Sequence, residues 1–439
     1  MSFQPALPPQ LGSARSFHRC FLQYTQKNFD VFLTPMENTT IINEMKTRRI
    51  TPFLKNDLKR KMVFLAGPRQ CGKTTISKSL VREREGRYYN WDLAADRKLI
   101  LNGLLEETCQ LWVFDELHKN RRWRNWLKGI YDTHGNDHEI CVTGSARLEV
   151  FGRGGDSLQG RYFLHHLHPF TLSELMGTKM TTTKNWLPPV EFESHKNTQG
   201  VLNDLVQLGG FPEPFLSGSE RDAKRWRLSY GTRLVEDEIR SLEQVTDLNR
   251  MELLFDRLSQ TVGSVLSINS LREDLEVAHG TLTNWVNIFE RLYGVFRIHP
   301  FGAPRLKAVK KEAKLYFWDW SRIENDSARF ENLVAVHLYR LMHWIEDTEG
   351  EKCELRYFRD TLGKEVDFIF MKNGKPLFVV EVKTDERPLD PNLKYFLERV
   401  QIPRAFQVSL KGERNVETKP INGCRINILP ARQLLMEMP

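Results

Sequence analysis

Nine consecutive residues have the types and the spacing of a phosphate-binding loop. They are Gly67, Pro68, Arg69, Gln70, Cys71, Gly72, Lys73, Thr74 and Thr75. The two glycines let the backbone curl until its N–H groups point at phosphate oxygens, and Lys73 then meets the β- and γ-phosphates. Thr74 is expected to ligate Mg²⁺ through its hydroxyl group. The segment therefore predicts a site for a nucleoside triphosphate.

Two acids, Asp115 and Glu116, follow the apolar run 111–114. An acid that ends a buried strand lies at the carboxyl edge of its sheet, where nucleotides bind. We expect Asp115 to hold Mg²⁺ through water and Glu116 to polarise the attacking water. The alternative is a strand that merely ends in a charged turn, but the loop upstream makes the pair more informative than either acid alone. A third apolar run, 140–142, ends in a segment that contributes the hydroxyl of Ser145.

Acids far along the chain suggest a second site with different chemistry. The residues concerned are Glu331, Asp367, Glu381 and Lys383. Glu381 and Lys383 point to the same side of one predicted strand, because side chains repeat every second residue. Two carboxylates can gather a divalent ion for phosphodiester hydrolysis, and a lysine can orient the water. A passive binding module with the same fold is the alternative, and the residues leave both open.

The hydrophobic pattern predicts the elements that carry these residues. Predicted strands cover 61–66, 111–114, 140–142, 355–358, 366–371 and 377–383, and predicted helices run to Glu85 after the first strand and over 330–345. Short apolar strands that alternate with amphipathic helices indicate an α/β protein, whose parallel sheet has helices on both faces.

The sequence pattern over residues 201–300 predicts helices. Apolar residues fall at helical spacing at Leu282, Trp285, Phe289 and Leu292. This pattern resembles the last helix of a winged helix-turn-helix, and a plain helical bundle is the alternative. If the winged form is present, Arg272, Asn284 and Arg291 are the candidate DNA contacts, with Asn284 the candidate base reader.

Composition sets the class of protein. A chain of 439 residues is long enough for two to four domains. The net charge of +8 and the pI near 9.1 favour a polyanion partner, though weakly. Six cysteines without CxxC spacing indicate reduced thiols in a cytoplasmic protein. We find no run of 18 apolar residues and no secretory signal at the start, so no membrane partner is expected.

Several motifs together resemble one family, the prokaryotic AAA+ ATPases with a winged-helix segment and a restriction-endonuclease-like C-terminal domain. The matching segments are 67–75, 115–119 with Trp123 and 127–128, 143–145, 155–161 and 169–175. The resemblance implies ATP as the nucleotide, Mg²⁺ as its ion, and Ser145 as the sensor of the γ-phosphate. Arg161 is one of three candidate arginine fingers, acting in cis or from a neighbour in a homo-oligomer.

The same resemblance implies the fold class and the domains. It predicts an α/β chain with a P-loop AAA+ core, a helical and winged-helix middle and a restriction-endonuclease-like α/β end. The predicted domains are an N-terminal extension (1–45), the ATPase (46–195), a helical lid (196–250), the winged helix (251–315) and the nuclease-like domain (316–439).

That last domain resembles the PD-(D/E)xK nuclease core. Asp367 and Glu381, with Glu331 from the preceding helix, would then ligate a second divalent ion beside Lys383.

The sequence is compatible with two functions. The first is an ATP-hydrolysing protein that binds DNA and cleaves it with a metal ion. The second is a nucleotide-controlled switch in regulation or defence, whose C-terminal domain binds DNA or protein without cutting.

Overall fold

A five-stranded sheet carries the phosphate-binding loop. A computed structural model gives the structure of residues 48–144, 158–177, 197–239, 247–302 and 313–439. Ser145 and the N-terminal extension lie outside these residues. The elements of the first part are α1 (Thr51–Leu58), β1 (Met62–Ala66), α2 (Lys73–Glu83), β2 (Arg87–Asn90), α3 (Ala94–Asn102), β3 (Leu111–Asp115), α4 (Trp123–His134), β4 (Glu139–Thr143) and β5 (Tyr162–His166).

All strand pairs of this sheet are parallel, in the order β2-β3-β4-β1-β5. Strands β1 and β3 are buried along their whole length, as expected for a parallel sheet with both faces covered. The large side chains of Phe64, Trp112 and Phe114 pack in its core with Trp123 and Leu127 of α4. The parallel α/β core predicted from the sequence is confirmed. Because the strands are parallel, their carboxyl ends meet at one edge.

A helical middle follows. Its elements are α5 (Leu172–Leu175), α6 (Thr198–Leu208), α7 (Pro212–Ser217), α8 (Glu220–Arg233), a π-helical turn (Leu234–Ile239), α9 (Leu248–Ser259), α10 (Ile268–Leu275) and α11 (His279–Arg291). Strand β6 (Val295–Pro300) then pairs antiparallel with β7 (Lys314–Phe317). The order of three helices and a strand pair is that of a winged helix, which remains a prediction.

The second sheet has eight strands. Its further elements are α12 (Asp326–Glu349), β8 (Cys353–Arg359), β9 (Glu365–Lys372), β10 (Lys375–Lys383), α13 (Pro391–Leu397), β11 (Arg404–Ser409), β12 (Val416–Ile421), β13 (Cys424–Pro430) and α14 (Ala431–Met436). The order is β12-β13-β11-β10-β9-β8-β6-β7, with parallel and antiparallel pairs. Since β6 and β7 belong to this sheet, the predicted boundary after residue 315 falls inside β7.

Helix α12 joins the two halves. It contacts β5 of the first sheet and β7, β8 and β10 of the second. Residues 47–439 accordingly form one compact unit. Within the described part of the chain, no helix is both long and apolar enough to cross a membrane.

Candidate functional site

The phosphate-binding loop joins β1 to α2, and its shape depends on two glycines. Gly67 has φ +145°, and a Cβ there would lie 2.1 Å from the backbone oxygen of Leu167. Gly72 has φ +104° and immediately precedes the first residue of α2. At Gly67 a side chain would collide with the backbone of Leu167. At both glycines the positive φ also disfavours any residue with a side chain. The loop delivers Lys73 and Thr74 to the first turn of the helix.

The side chain of Lys73 bonds back to the start of the phosphate-binding loop. Its Nζ donates to the backbone oxygens of Gly67, at 2.8 Å, and of Pro68, at 2.7 Å. Arg48 braces the loop from outside, because its Nη1 donates to the backbone oxygen of Cys71 at 2.9 Å. Thr74 and Thr75 are exposed at the open side of the turn. This donor set suits a phosphate, since one ammonium and a helix N-terminus face the same space.

Asp115 contacts three hydroxyl groups. Thr74 Oγ1 lies 3.5 Å from its Oδ2, and Tyr88 and Thr143 both donate short hydrogen bonds to the carboxylate. Burial and the Asp115 carboxylate raise the pKa of Tyr88, so its phenol stays protonated and donates. Thr74 and Asp115 thus lie side by side, as the sequence predicted for a magnesium pair.

Sequence reasoning missed Tyr88. It lies on β2, a four-residue strand whose sequence contains no apolar run from which a strand could be predicted. The available signal was the aromatic pair Tyr88-Tyr89 between the end of α2 and the helix that follows, because aromatic residues favour strands. β2 pairs with β3 so that Asn90 lies opposite Asp115.

Glu116 lies one residue beyond the strand, with a left-handed backbone at φ 56°. Its Oε2 is 3.4 Å from Lys119 Nζ and 3.7 Å from His118 Nε2. Lys119 also bonds the Oδ2 of Asp92 at 2.6 Å. The predicted catalytic acid is thus next to the site, and a lysine shared with a second acid holds it there.

The predicted arginine finger lies elsewhere. Arg161 precedes β5, and its backbone oxygen accepts from Met62 N at the amino end of β1. The guanidinium pairs with Asp132, with Nε 2.7 Å from Oδ1. A five-residue strand is about 16 Å long, so Arg161 lies at the opposite edge of the sheet from the loop. This position does not favour action in cis, and the role of Arg161 as an arginine finger, in cis or from a neighbouring copy, stays a prediction.

The acids of the second sheet converge. Asp367 N donates to Glu381 Oε2 at 3.3 Å, and Val382 N donates to Asp367 Oδ2 at 2.9 Å. Lys383 Nζ bonds Glu381 Oε1 at 2.7 Å and lies 2.8 Å from Asp390 Oδ2. The two carboxylates therefore face the same side of the antiparallel pair β9–β10.

Sequence reasoning missed a lysine in the middle of these acids. Lys314 of β7 has a side chain only 1% exposed, and its Nζ lies 2.5 Å from Glu365, 3.3 Å from Glu331 and 3.8 Å from Asp367. Glu331 also accepts from Tyr316 OH at 2.8 Å. Within the described residues, no group of three or more histidines, cysteines or acids is arranged to hold a metal ion. We call Glu331, Glu365, Asp367 and Glu381 the acid cluster; Lys314 contacts the first three and Lys383 contacts Glu381.

Burial and charge shift the pKa values of the acid cluster. Burial, and then Glu381 and Glu331, raise the pKa of Asp367 well above its ordinary value. Burial also raises the pKa of Glu381 to about 7. Burial alone lowers the pKa of Lys314, but its acid neighbours outweigh this and raise it. Lys314 is therefore charged, while the two acids hold protons more readily than free carboxylates do.

A buried ion cluster connects the loop to α12. Glu174 accepts from Arg48 at 3.0 Å and from Arg340 at 2.8 Å, and all three side chains are at most 8% exposed. Burial alone raises the pKa of Glu174, but Arg340 and Arg48 outweigh it and hold the pKa far below its ordinary value. Arg48, which contacts the phosphate-binding loop, is thus linked through Glu174 to Arg340 on the helix that also carries Glu331.

Comparison with known families assigns the first part of the chain. Residues 59–176 match the family model of an AAA domain. Residues 200–322 and 327–434 match two domains of unknown function, DUF8612 and DUF4143. The first part is therefore a P-loop ATPase domain of the AAA type, as predicted, and a domain of this type implies ATP as its nucleotide. The winged-helix and restriction-endonuclease-like assignments stay predictions.

Curated relatives extend over most of the chain. An uncharacterized protein of Methanocaldococcus jannaschii, MJ1637, is 24% identical over 425 residues, covering 85% of this chain and 86% of that protein. An uncharacterized protein of Mycobacterium tuberculosis, Rv2008c, is 24% identical over 357 residues, covering 78% of this chain and 75% of that protein.

Two solved structures show a weaker likeness. The RuvB Holliday junction branch migration motor of Thermotoga maritima is 18% identical, with 59% of this chain and 88% of that chain covered and a TM-score of 0.25. A signal transduction ATPase with numerous domains from Pyrococcus horikoshii is 12% identical, with 68% and 47% covered and a TM-score of 0.21. TM-scores of this size do not establish a common overall fold.

Proposed function

We propose that this chain hydrolyses Mg²⁺-bound ATP at the loop 67–75 and that hydrolysis controls its binding to DNA. One observation carries the nucleotide part. Thr74 and Asp115 lie side by side at the carboxyl edge of the parallel sheet, and each adjoins in sequence a further candidate residue, Lys73 and Glu116 respectively. An NTP site of this class needs these four groups together.

Each residue has a distinct role in this proposal. The backbone of the loop and Lys73 hold the phosphates, and Thr74 and Asp115 hold the metal ion. Mg²⁺, when bound, neutralises charge that develops on the phosphoryl oxygens. Glu116 polarises the attacking water. Tyr88 keeps the Asp115 carboxylate in position until the ion binds.

The DNA part rests on α11. Leu282, Trp285 and Phe289 are buried, whereas Asn284 and Arg291 are exposed on the other side of the helix. Arg272 is partly exposed on α10, where it bonds Asn269. An amphipathic second helix followed by a strand pair is the arrangement that presents a recognition helix to the major groove. We expect duplex affinity to fall steeply with salt, with a slope of about −0.9 per phosphate contacted.

For the C-terminal domain, the acid cluster favours the second function, in which this domain binds DNA or protein without cleaving it. Lys314 already supplies a cation to Glu331, Glu365 and Asp367, so these acids have a counter-ion without a metal. The nuclease proposal is tested by incubating a labelled duplex with Mg²⁺ or Mn²⁺. Cleavage that disappears in Asp367→Ala and in Lys383→Ala, while ATP turnover persists, would establish it. Binding without cleavage would support the switch.

The test of the ATPase uses Lys73→Ala. Removing the charge that meets the transferred phosphoryl group should lower ATP turnover by about two to three orders of magnitude. Arg82→Ala, on the exposed side of the same helix, is the matched control and should turn over ATP normally. Unchanged turnover in Lys73→Ala would show that the loop is not the site.

A further inference from the structure

A basic surface begins three residues after Glu116. We define it by five residues, Lys119, Arg121, Arg122, Arg124 and Lys128. Between Glu116 and Asp132 the chain has no acidic residue. A net charge of five within ten residues is far denser than the mean charge of the chain. Such a density creates a local potential that attracts polyanions.

Packing does not explain two members of the basic surface, Arg121 and Arg122. Trp123 and Leu127 are the buried residues of α4, so the helix is anchored by apolar contacts. Arg121 and Arg122 are exposed, and neither guanidinium has a hydrogen-bond or ion-pair partner among the residues that the structure describes. Cations at the start of a helix also oppose its dipole, which favours acids there. None of these observations gives the side chains of Arg121 and Arg122 a role in the local fold.

One member of the basic surface contacts the catalytic acid. Lys119 Nζ lies 3.4 Å from Glu116 Oε2 and 2.6 Å from Asp92 Oδ2, and its side chain is 30% exposed. An ammonium at that distance reduces the ability of a carboxylate to polarise water. Because Lys119 is partly exposed, it can turn towards an anion outside without disturbing the core.

We propose that the basic surface binds the phosphate backbone of a nucleic acid and that this binding draws Lys119 away from Glu116, which speeds ATP hydrolysis. The second half rests on the role proposed above for Glu116. The first half does not, since phosphate binding by exposed arginines is independent of ATP turnover. DNA and RNA duplexes offer the same phosphate chemistry, so the experiment includes both.

The first arm measures binding without ATP. Fluorescence anisotropy of labelled DNA and RNA duplexes is compared between the unaltered chain and the double variant Arg121→Glu, Arg122→Glu. The variant should lose at least about tenfold in affinity for whichever duplex is bound, and the salt slope should become shallower by about 2. The matched control, Lys224→Glu with Arg225→Glu, reverses two exposed charges on α8. An equal loss of duplex affinity in both double variants, or no loss in Arg121→Glu, Arg122→Glu, would contradict the proposal that the basic surface binds a phosphate backbone.

The second arm measures ATP turnover with and without the bound duplex. The duplex should raise the rate of the unaltered chain several-fold, and the ratio of the two rates should fall to near one in Arg121→Glu, Arg122→Glu. Lys119→Ala should raise the rate in the absence of duplex, because Glu116 loses its counter-ion. A rate that does not rise in Lys119→Ala would overturn the coupling. Absence of ATP turnover in the unaltered chain would instead overturn the proposed function, while the binding arm still decides on the surface.

Discussion

The nucleotide site and the acid cluster both place carboxylates on strands of a central sheet, but they differ in what those carboxylates contact. Asp115 is held by the hydroxyls of Tyr88, Thr74 and Thr143. In the acid cluster, by contrast, Asp367 faces the ammonium of Lys314 and Glu381 that of Lys383. Neutral donors bring no counter-charge to a carboxylate, whereas an ammonium does. The two sites therefore differ in that the described hydrogen-bond partners of Asp115 are hydroxyl groups, whereas the chain itself supplies an ammonium to Asp367 and to Glu381.

The largest effect is expected at Glu116. Glu116→Gln keeps the shape of the side chain but removes its charge, so ATP should still bind while turnover falls by about a hundredfold or more. Nucleotide binding and steady-state hydrolysis should be measured on the same preparation. Glu107→Gln, at an exposed position before β3, is the control. Normal turnover in Glu116→Gln would remove the catalytic acid from the proposal.

The next effect concerns Lys314. Lys314→Met keeps an unbranched side chain one atom shorter than lysine but leaves Glu331, Glu365 and Asp367 without their shared cation. Loss of one partner of a buried ion pair costs about 3–5 kcal/mol, which urea unfolding at neutral pH should detect. Lys375→Met, at an exposed end of β10, should be close to neutral.

The same variant sharpens the comparison between the two sites. If Mg²⁺ or Mn²⁺ restores the stability of Lys314→Met without nucleotide, the acid cluster can accept a metal once the ammonium is gone. A variant as stable as the unaltered chain would mean that Lys314 is not the counter-ion of this cluster.

The smallest effect is a pH dependence. The pKa of Glu381 rises from 4.5 to about 7 on folding, so between these values the folded chain keeps a proton that the unfolded chain releases. Stability should therefore decrease as the pH rises through that window and level off above it. The raised pKa of Asp367 acts in the same direction. Glu381→Gln should flatten the profile of the melting temperature against pH, and the exposed Glu398→Gln should not.

Local pattern was enough for the nucleotide loop and the core strands. The loop motif and the apolar runs 111–114 and 140–142 are continuous in sequence, so spacing alone locates β1, α2, β3 and β4. The convergence of Asp367 with Glu381 could also be predicted, because β9 and β10 are neighbours joined by a short turn.

Residues brought in by distant pairing could not be predicted. Tyr88 reaches Asp115 through a parallel pairing of β2 with β3, and Lys314 of β7 contacts Glu331 of α12, 17 residues away in the sequence. The position of Arg161 depends on which end of β5 it precedes. Strand register and order decide all three, and neither is encoded in a short window of sequence.

The ion cluster around Glu174 also limits how early the first part of the chain can reach its final structure during synthesis. Glu174 and Arg340 are 166 residues apart, and a ribosome needs on the order of ten seconds to synthesise that interval. The carbonyl of Met438, next to the end of the chain, in turn accepts from Ser173 Oγ at 2.5 Å. Glu174 therefore gains the second of these two cations only after α12 has been synthesised. A fragment that ends at residue 195 would lack Arg340 and would expose the side chain of Glu174, which is only 5% exposed in the folded chain.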